Sequence, residues 1–514
     1  MTSRLLVALF LLLAGALSPA TVSQAAAPTS TVVASAAAAA PSAARRAGRP
    51  NVVMIMTDDM AASDLRYMPR TRRLIGRAGT TFDDGLSPNP MCCPARATLL
   101  TGQESHNNGV WSNGGSRGGY AALPRGSRLP EWLQDAGYRT AFLGKHLNGF
   151  RAGEADSERG WDVLDALVAG VYSYRSFTTW DNGRLSRVRD GYVTTHLQRG
   201  AERVIRRFDR HDRDPFFLWV SHVGPHTSRD NQCRSRCWGP PIPAARDRGD
   251  LAGTPAPTRS LPSFNHANDA TKPPFLRKLS SVAPREVDRQ FQRRIEALRS
   301  VDRSVADTVR TLRRRDELGR TMLVFTSDNG YLLGQHRYVG KRLPYEGSVR
   351  VPLLVRGPGV RAGAHTGQPA TSADLSRTIV DVAGAAAPHP LDGVSLVPAF
   401  RGEPTGRMAS ILQTGADLDP EGDRRLAVQP DDRGWLYRGY RDRRWTYARY
   451  PDPAGPDTAA FEELYDRDAD PDELHNLVDE PGYAGVLQQA RQRALQLALC
   501  AGDGCHPAWE PIQP

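Results

Sequence analysis

The feature that most constrains this chain is a pattern recurring from residue 50 onward. An apolar run of four to eight residues ends in a cluster of charged or imidazole side chains, and helical periodicity fills the intervals. Asn51 to Thr57 ends in Asp58-Asp59. Tyr138 to Leu143 follows the helical EWLQDAG and ends in Gly144-Lys145-His146. Pro215 to Ser221 ends near His222 and His226, and Thr321 to Ser327 ends in Asp328-Asn329-Gly330. A long helix precedes that last run, with Val287, Phe291, Ile295, Leu298, Val301, Val305, Val309 and Leu312 spaced by threes and fours. A fifth run, Val349 to Val355, comes after it. Strands alternating with helices predict an α/β fold built on a large, mostly parallel central sheet flanked by helices. Ligand sites in such sheets lie beyond the carboxyl ends of the strands. The polar clusters all fall at those ends, so segments far apart in sequence are expected to meet in one place.

The pattern changes near residue 401. Aromatic strand-like runs, Trp435 to Tyr440 and Trp445 to Tyr450, lead to ELYDRDADPDELHNL and a terminal helix from about Tyr483 to Leu499. Residues 50–400 therefore read as the catalytic domain and 401–514 as a smaller α+β domain with an antiparallel sheet. Within the first, residues 228–284, rich in Pro, Arg and Asn, read as an insertion near the site mouth.

The amino terminus has a different character. Arg4, the apolar stretch Leu5 to Leu17 and the small-residue run Ala25-Ala26-Ala27 have the layout of a secretory signal peptide, assigned to residues 1–27. The Ala- and Ser-rich residues 28–49 read as a disordered leader. An apolar run of about 13 residues is short of the roughly 20 that a span needs, so a secreted protein without stable membrane insertion is expected. Six cysteines are too few for a disulfide scaffold. Cys233 with Cys237 and Cys500 with Cys505 are close enough in polar sequence for two local bridges, and neither pair has zinc-module spacing. Cys92 and Cys93 are left as an adjacent pair, read on their own as buried or vicinally bridged thiols.

With 24% charged and 40% hydrophobic residues the chain is neither a disordered tail nor a bundle of membrane spans. Its net charge of +11 would suit a polyanion, but the Arg excess is spread along the chain, and no nucleic-acid partner is expected. Only four of the basic residues are lysines: Lys145, Lys272, Lys278 and Lys341.

The segment Cys92-Cys93-Pro94-Ala95-Arg96, followed by Leu99-Leu100-Thr101-Gly102, resembles the signature of the type I sulfatases, in which the first Cys is oxidised to formylglycine (3-oxoalanine). The match makes Cys92 the modified residue and Cys93 the variable one. Pro94 suits a first helical turn, which would put residue 92 at a helix N-terminus that favours anionic oxygen. Other motifs of the family follow in order. Asp58-Asp59 and Asp328-Asn329 resemble its metal ligands, with Cys92 beside them, and oxygen donors of this kind suit Ca²⁺, with Mg²⁺ as the other candidate. Arg96, Lys145, His226 and Lys341 match catalytic or sulfate-binding positions, and His146 and Asn148 fall at substrate-binding ones. The stretch from Asp328 through Lys341-Arg342 to Arg350-Val351-Pro352 looks most like the glucosamine-6-sulfatases and extracellular heparan endosulfatases.

The resemblance implies an alkaline-phosphatase-like sandwich, a sulfated carbohydrate or other sulfate ester as substrate, and a formylglycine-generating enzyme as a processing partner. It also implies His226 as the acid that protonates the leaving alcohol, with Lys341 as the other candidate. Two positions depart from the family pattern: Leu147 stands where many members have His, and Ala95 replaces the commoner Ser. His106 and His336 read as structural or rim residues. Two other functions are kept: a phosphonate monoester or phosphodiester hydrolase of the same superfamily, and an unmodified binder of sulfated glycan.

Overall fold

The structure, a computed structural model, describes residues 48–209, 214–230, 237–415, 437–452 and 455–513. The expected signal peptide, nearly all of the leader, and the Cys233–Cys237 bridge lie outside the described residues.

Ten strands form the main sheet: β1 (Asn51–Thr57), β2 (Thr80–Leu86), β3 (Arg139–Gly144), β4 (Val163–Ala169), β5 (Phe177–Asp181), β6 (Arg184–Val188), β7 (Phe216–Ser221), β8 (Thr321–Ser327), β9 (Leu353–Arg356) and β10 (Ala364–Thr371). Their spatial order is β10-β2-β9-β8-β1-β7-β3-β4-β5-β6. The pairings make β9 and β5 antiparallel to the other eight, so the sheet is mixed but mostly parallel. Central strands β8, β1, β7 and β3 all run the same way, and their carboxyl ends lie side by side.

Successive side chains of a strand point to opposite faces. On β1, Val53 and Ile55 enter one apolar cluster while Val52, Met54 and Met56 enter another. Both faces are covered, which is why this strand reads as a continuous apolar run and not as an alternation. The first cluster takes Leu197 from α3 (Val193–Asp209) and Val301 from α4 (Pro284–Arg314); the second takes Leu99 from α1 (Cys92–Thr101), Trp132 from α2 (Leu129–Asp135) and Ile379 from α5 (Ser372–Ala383). Every apolar residue picked out by the three-and-four spacing of α4 is buried in the first cluster.

The fifth apolar run behaves differently from its expectation. Val349 ends a single helical turn, Glu346–Val349, and only Leu353–Arg356 is strand, running antiparallel between β8 and β2. Apolar content shows that a run is buried but carries no information about its direction.

Strands β11 (Ala409–Thr414), β12 (Tyr437–Asp442), β13 (Trp445–Asp452) and β14 (Gly455–Asp466) form a separate antiparallel sheet in chain order. Helix α6 (Ala484–Ala498) packs Val486, Ala490 and Leu497 against Ile411, Tyr440 and Tyr447 of that sheet. Just beyond α6, Cys500 and Cys505 are bridged, with Cα atoms 4.9 Å apart.

Candidate active site

Helix α1 is buried from end to end. Met91 enters it in extended conformation, and Pro94, which has no N–H to leave unsatisfied, occupies its first turn. Gly102 closes it in the left-handed region (φ 67°), with its N–H bonded to the Thr98 carbonyl at 2.7 Å. Adjacent residues on a helix diverge by about 100°, and the two cysteines consequently part company. Cys93 packs in the apolar cluster with Leu99 and Phe150, its sulfur accepting the Asn148 N–H at 3.0 Å. Cys92 faces the ends of the central strands, where its thiol donates to Asp58 Oδ1 at 3.3 Å and its sulfur accepts from Lys341 Nζ at 2.8 Å.

The polar clusters expected at the strand ends meet around that sulfur. Asp58 and Asp59 follow β1, Asp328 and Asn329 follow β8, and Lys145 follows β3. Lys145 is paired with Asp58, and Lys341 donates to Asp59 Oδ1 at 2.5 Å. Arg96, one turn into α1, reaches Asp328 Oδ2 through Nε (2.9 Å) and Nη2 (2.8 Å), and the Lys145 carbonyl through Nη1 (2.7 Å). Asp328 Oδ1 accepts the Asp59 N–H at 3.1 Å. Three carboxylates thus face three cations, all buried.

Burial pushes the Asp58 carboxyl up, but Lys145, Arg96 and Lys341 together outweigh it and hold the group well below the usual range; burial likewise raises Asp59, and Lys341 with Lys145 helps to bring it below its ordinary value. Asp328 sits above its ordinary value because burial and Asp58 together exceed the pull of Arg96. The ammoniums of Lys145 and Lys341 resist burial and are driven well above the usual range by Asp58 and Asp59 respectively. Burial and Asp58 push the Cys92 thiol far up, so the unmodified side chain is a neutral thiol and a poor nucleophile.

The donor set fits a hard divalent cation. Ligand atoms of Asp58, Asp59, Cys92 and His226 lie within 4.8 Å of one another. Asn329 donates through Nδ2 to Asp59 Oδ1 at 2.8 Å, while its Oδ1 is buried without a hydrogen-bond partner. An orphaned carbonyl oxygen next to three carboxylates is an oxygen ligand in want of a cation. Cys92 and His226 alone would also suit a softer ion, but Asp58 and Asp59, with Asp328 and Asn329 beside them, turn the set toward oxygen.

His226 donates from Nδ1 to the Thr227 carbonyl at 2.8 Å, which leaves Nε2 facing Asp59 Oδ2 at 3.5 Å. Tyr172 stacks on its ring (centroids 4.3 Å apart, planes 24°), lies 4.9 Å from Lys145 Nζ, and donates from its hydroxyl to Asn148 Oδ1 at 2.9 Å. Asn148 is therefore on the wall of the site, joined to it through Tyr172. His146 also lines the cavity, but its ring stacks on Phe150 at 4.3 Å and packs edge-on against Tyr120 and Phe142, with Nε2 3.7 Å from Glu158. Burial holds it neutral, well below the usual imidazole range, and no hydrogen bond joins it to the cluster around Cys92 among the described residues. His106 bonds Gln413 Oε1 (3.2 Å) and the Cys500 carbonyl (3.0 Å), and His336 stacks on Tyr345.

The sulfatase family profile matches residues 50–385. The chain belongs to the sulfatase family. Among curated relatives it is 31% identical over 365 residues to the Drosophila melanogaster extracellular sulfatase SULF-1 homolog, covering 69% of this chain and 31% of that protein, so it spans about a third of that relative's length. It is 28% identical to human N-acetylglucosamine-6-sulfatase over 503 residues, covering 89% of this chain and 86% of the human one. A solved structure of BT4656 in complex with its substrate D-glucosamine-2-N,6-O-disulfate superposes with a TM-score of 0.71 at 22% identity, covering 86% of this chain and 96% of the other. A phosphonate monoester hydrolase from Silicibacter pomeroyi shares the fold at a TM-score of 0.63 and 20% identity, covering 87% of this chain and 94% of the other.

In this member of the family a cavity of about 1360 Å³ opens over the cluster, with Lys145, Asn148, Tyr172, His226 and Lys341 on its wall and Arg229 and Trp238 from the 228–284 segment beside them. Sequence reading passed over Tyr172 and Ser221. Tyr172 sits in a turn after β4 with no motif around it, and Ser221 is the last residue of β7, where its hydroxyl accepts from Arg96 Nη1 and donates to the Lys145 carbonyl at 2.6 Å. Neither has a sequence signal. Their roles come from a residue brought near by the sheet.

Proposed function

We propose that the protein is a secreted, divalent-metal-dependent sulfatase that removes a sulfate ester from a carbohydrate through a formylglycine made from Cys92. The observation that carries this reading is the placement of Cys92: a buried sulfur at a helix N-terminus, between Asp58 and Lys341, in a cluster where Asn329, bonded to Asp59, keeps an unsatisfied oxygen. The named activities of the SULF-1 homolog, of N-acetylglucosamine-6-sulfatase and of BT4656 support a sulfated sugar as substrate. The apolar run after Arg4 supports export. Among the described residues no helix is long and apolar enough to cross a membrane.

Asp58, Asp59, Asp328 and Asn329 would hold the cation, Ca²⁺ by the hardness of the donors, and it supplies positive charge against the sulfate oxygens and the nucleophile. Hydrated formylglycine supplies two hydroxyls on one carbon: one to attack sulfur, the other to expel sulfate as the aldehyde is restored. Arg96 braces Asp328 and the Lys145 carbonyl, fixing the strand ends on which the site is built. Lys145 and Lys341, at present spent on Asp58 and Asp59, are the groups left to meet sulfate oxygens once those carboxylates have a cation of their own. His226 is oriented by its bond to Thr227 so that Nε2 points into the site, the atom from which a proton passes to the leaving alcohol.

Initial rates on a sulfated sugar, an aryl sulfate, an aryl phosphonate and a phosphodiester test the reading. Sulfate-ester turnover that exceeds the other two classes and is lost on chelation is expected; faster phosphonate or phosphodiester cleavage would overturn it.

A further inference from the structure

Among the described residues the fully buried guanidiniums are met by carboxylates. Arg96 meets Asp328, Arg294 meets Asp64, Arg407 meets Asp374, and Arg441 meets both Asp84 and Glu346. Arg342 breaks the pattern. It is partly buried, its Nε is out of contact with solvent and has no hydrogen-bond partner, and no ion pair reaches it among the described residues. It lies on the cavity wall directly after Lys341, whose ammonium touches Cys92 and Asp59. Its backbone is in the left-handed region, φ 81°, which a non-glycine residue with a long side chain rarely adopts. Asp59, which Lys341 contacts, is held in that region too, φ 67°. A desolvated Nε without a partner and a strained backbone both cost stability, and together they persist where a ligand repays them.

We infer that Arg342 is a specificity-determining residue that receives a second anionic group of the substrate, a sulfate or a carboxylate, while the ester to be cleaved lies at Lys145 and Lys341. The inference rests on the proposed sulfatase reading of the cavity and adds to it the class of substrate: a sugar, or sugar pair, carrying at least two negative charges. The guanidinium fork matches either oxyanion bidentately, which a lysine at this place would not do. The acids on the cavity wall are engaged elsewhere: Glu131 accepts the Arg128 N–H at 3.1 Å and Glu154 the Arg151 N–H at 3.0 Å.

The test uses the full-length protein with three probes: a glucosamine carrying one sulfate ester, the same sugar with a second sulfate, and the singly sulfated sugar linked to a uronate. Binding is measured by calorimetry on Cys92→Ala protein and turnover on Cys92-intact protein, each with Arg342, Arg342→Lys and Arg342→Gln. With Arg342 present, at least one doubly charged probe is expected to bind about ten- to a hundredfold more tightly than the singly charged one. That preference should shrink toward unity in Arg342→Gln and be restored only in part by Arg342→Lys. The probe that shows the preference identifies sulfate or carboxylate as the recognised group. Equal losses on all three probes, or no preference with Arg342 present, would overturn the inference. If the preference appears in binding but no sulfate ester is turned over, the catalytic reading fails and the recognition role stands.

Discussion

Cys92 and Cys93 are adjacent, yet the helix sends one into the polar cluster and the other into the core. Cys92→Ala is expected to abolish turnover with the melting temperature little changed. Cys93→Ala is expected to keep activity while losing about 1 kcal/mol through a small cavity. Assay and thermal melt of the two variants side by side decide this, and a fatal Cys93→Ala with an active Cys92→Ala would reverse the register. The cation ligands give a second expectation at this scale. Chelation should lower the melting temperature and added Ca²⁺ should restore it, by about 2.7 kcal/mol at a hundredfold excess over Kd; Asn329→Ala should need more Ca²⁺ for the same rise. Individual site residues were legible in the sequence where a motif names them: Cys92, Asp58, Asp59, Lys145 and Asn329 all stand in the cluster. His146 also lines the cavity, but its ring packs against Phe142 and Phe150, a placement that no motif specifies.

Whole elements owe their positions to how completely they are buried. β1 and β8 begin and end at the residues the apolar runs predict, Asn51–Thr57 and Thr321–Ser327, because core residues cover both faces and a charged cluster stops each run. The 349–355 run could not be placed this way, since it begins on the last residue of a helical turn and only its end is strand, running antiparallel. Helix α1 depends on its last residue as much as on its first. A Cβ on Gly102 would come within 2.4 Å of Leu391 Cδ2, on a backbone already at φ 67°. Gly102→Ala is therefore expected to destabilise the protein by more than about 1 kcal/mol, read from denaturant unfolding, and to lower sulfatase turnover by disturbing the seat of Cys92. An unchanged midpoint would show that the helix end is not constrained as described.

At the scale of the molecule, the main sheet and the carboxy-terminal sheet are joined through buried charge. Arg441 of β12 reaches Asp84 of β2, and Gln413 of β11 donates to Glu104 at 3.3 Å. Sequence patterning showed that both sheets exist but gave no sign of this seam, whose partners lie hundreds of residues apart. Burial, helped by Asp392 and opposed by Arg407, raises the Glu104 carboxyl to about 8. Its folded-state value lies above the unfolded one, so the native state holds the proton more tightly. Stability from this group is fully present below about pH 4.5 and is lost as pH rises toward 8, by up to about 1.4 kcal/mol per unit. Glu104→Gln should flatten that slope, a result that thermal melts from pH 5 to 8 would show directly. A variant with the same slope as the parent would place the proton elsewhere.

The central claim joins one sulfur to one activity, and it is tested most directly by mass spectrometry of the peptide spanning Cys92, from purified protein that hydrolyses sulfate esters. A species about 18 Da lighter than the thiol form, with fragment ions placing the change at residue 92, is predicted. Active protein carrying only a free thiol at residue 92 would contradict it.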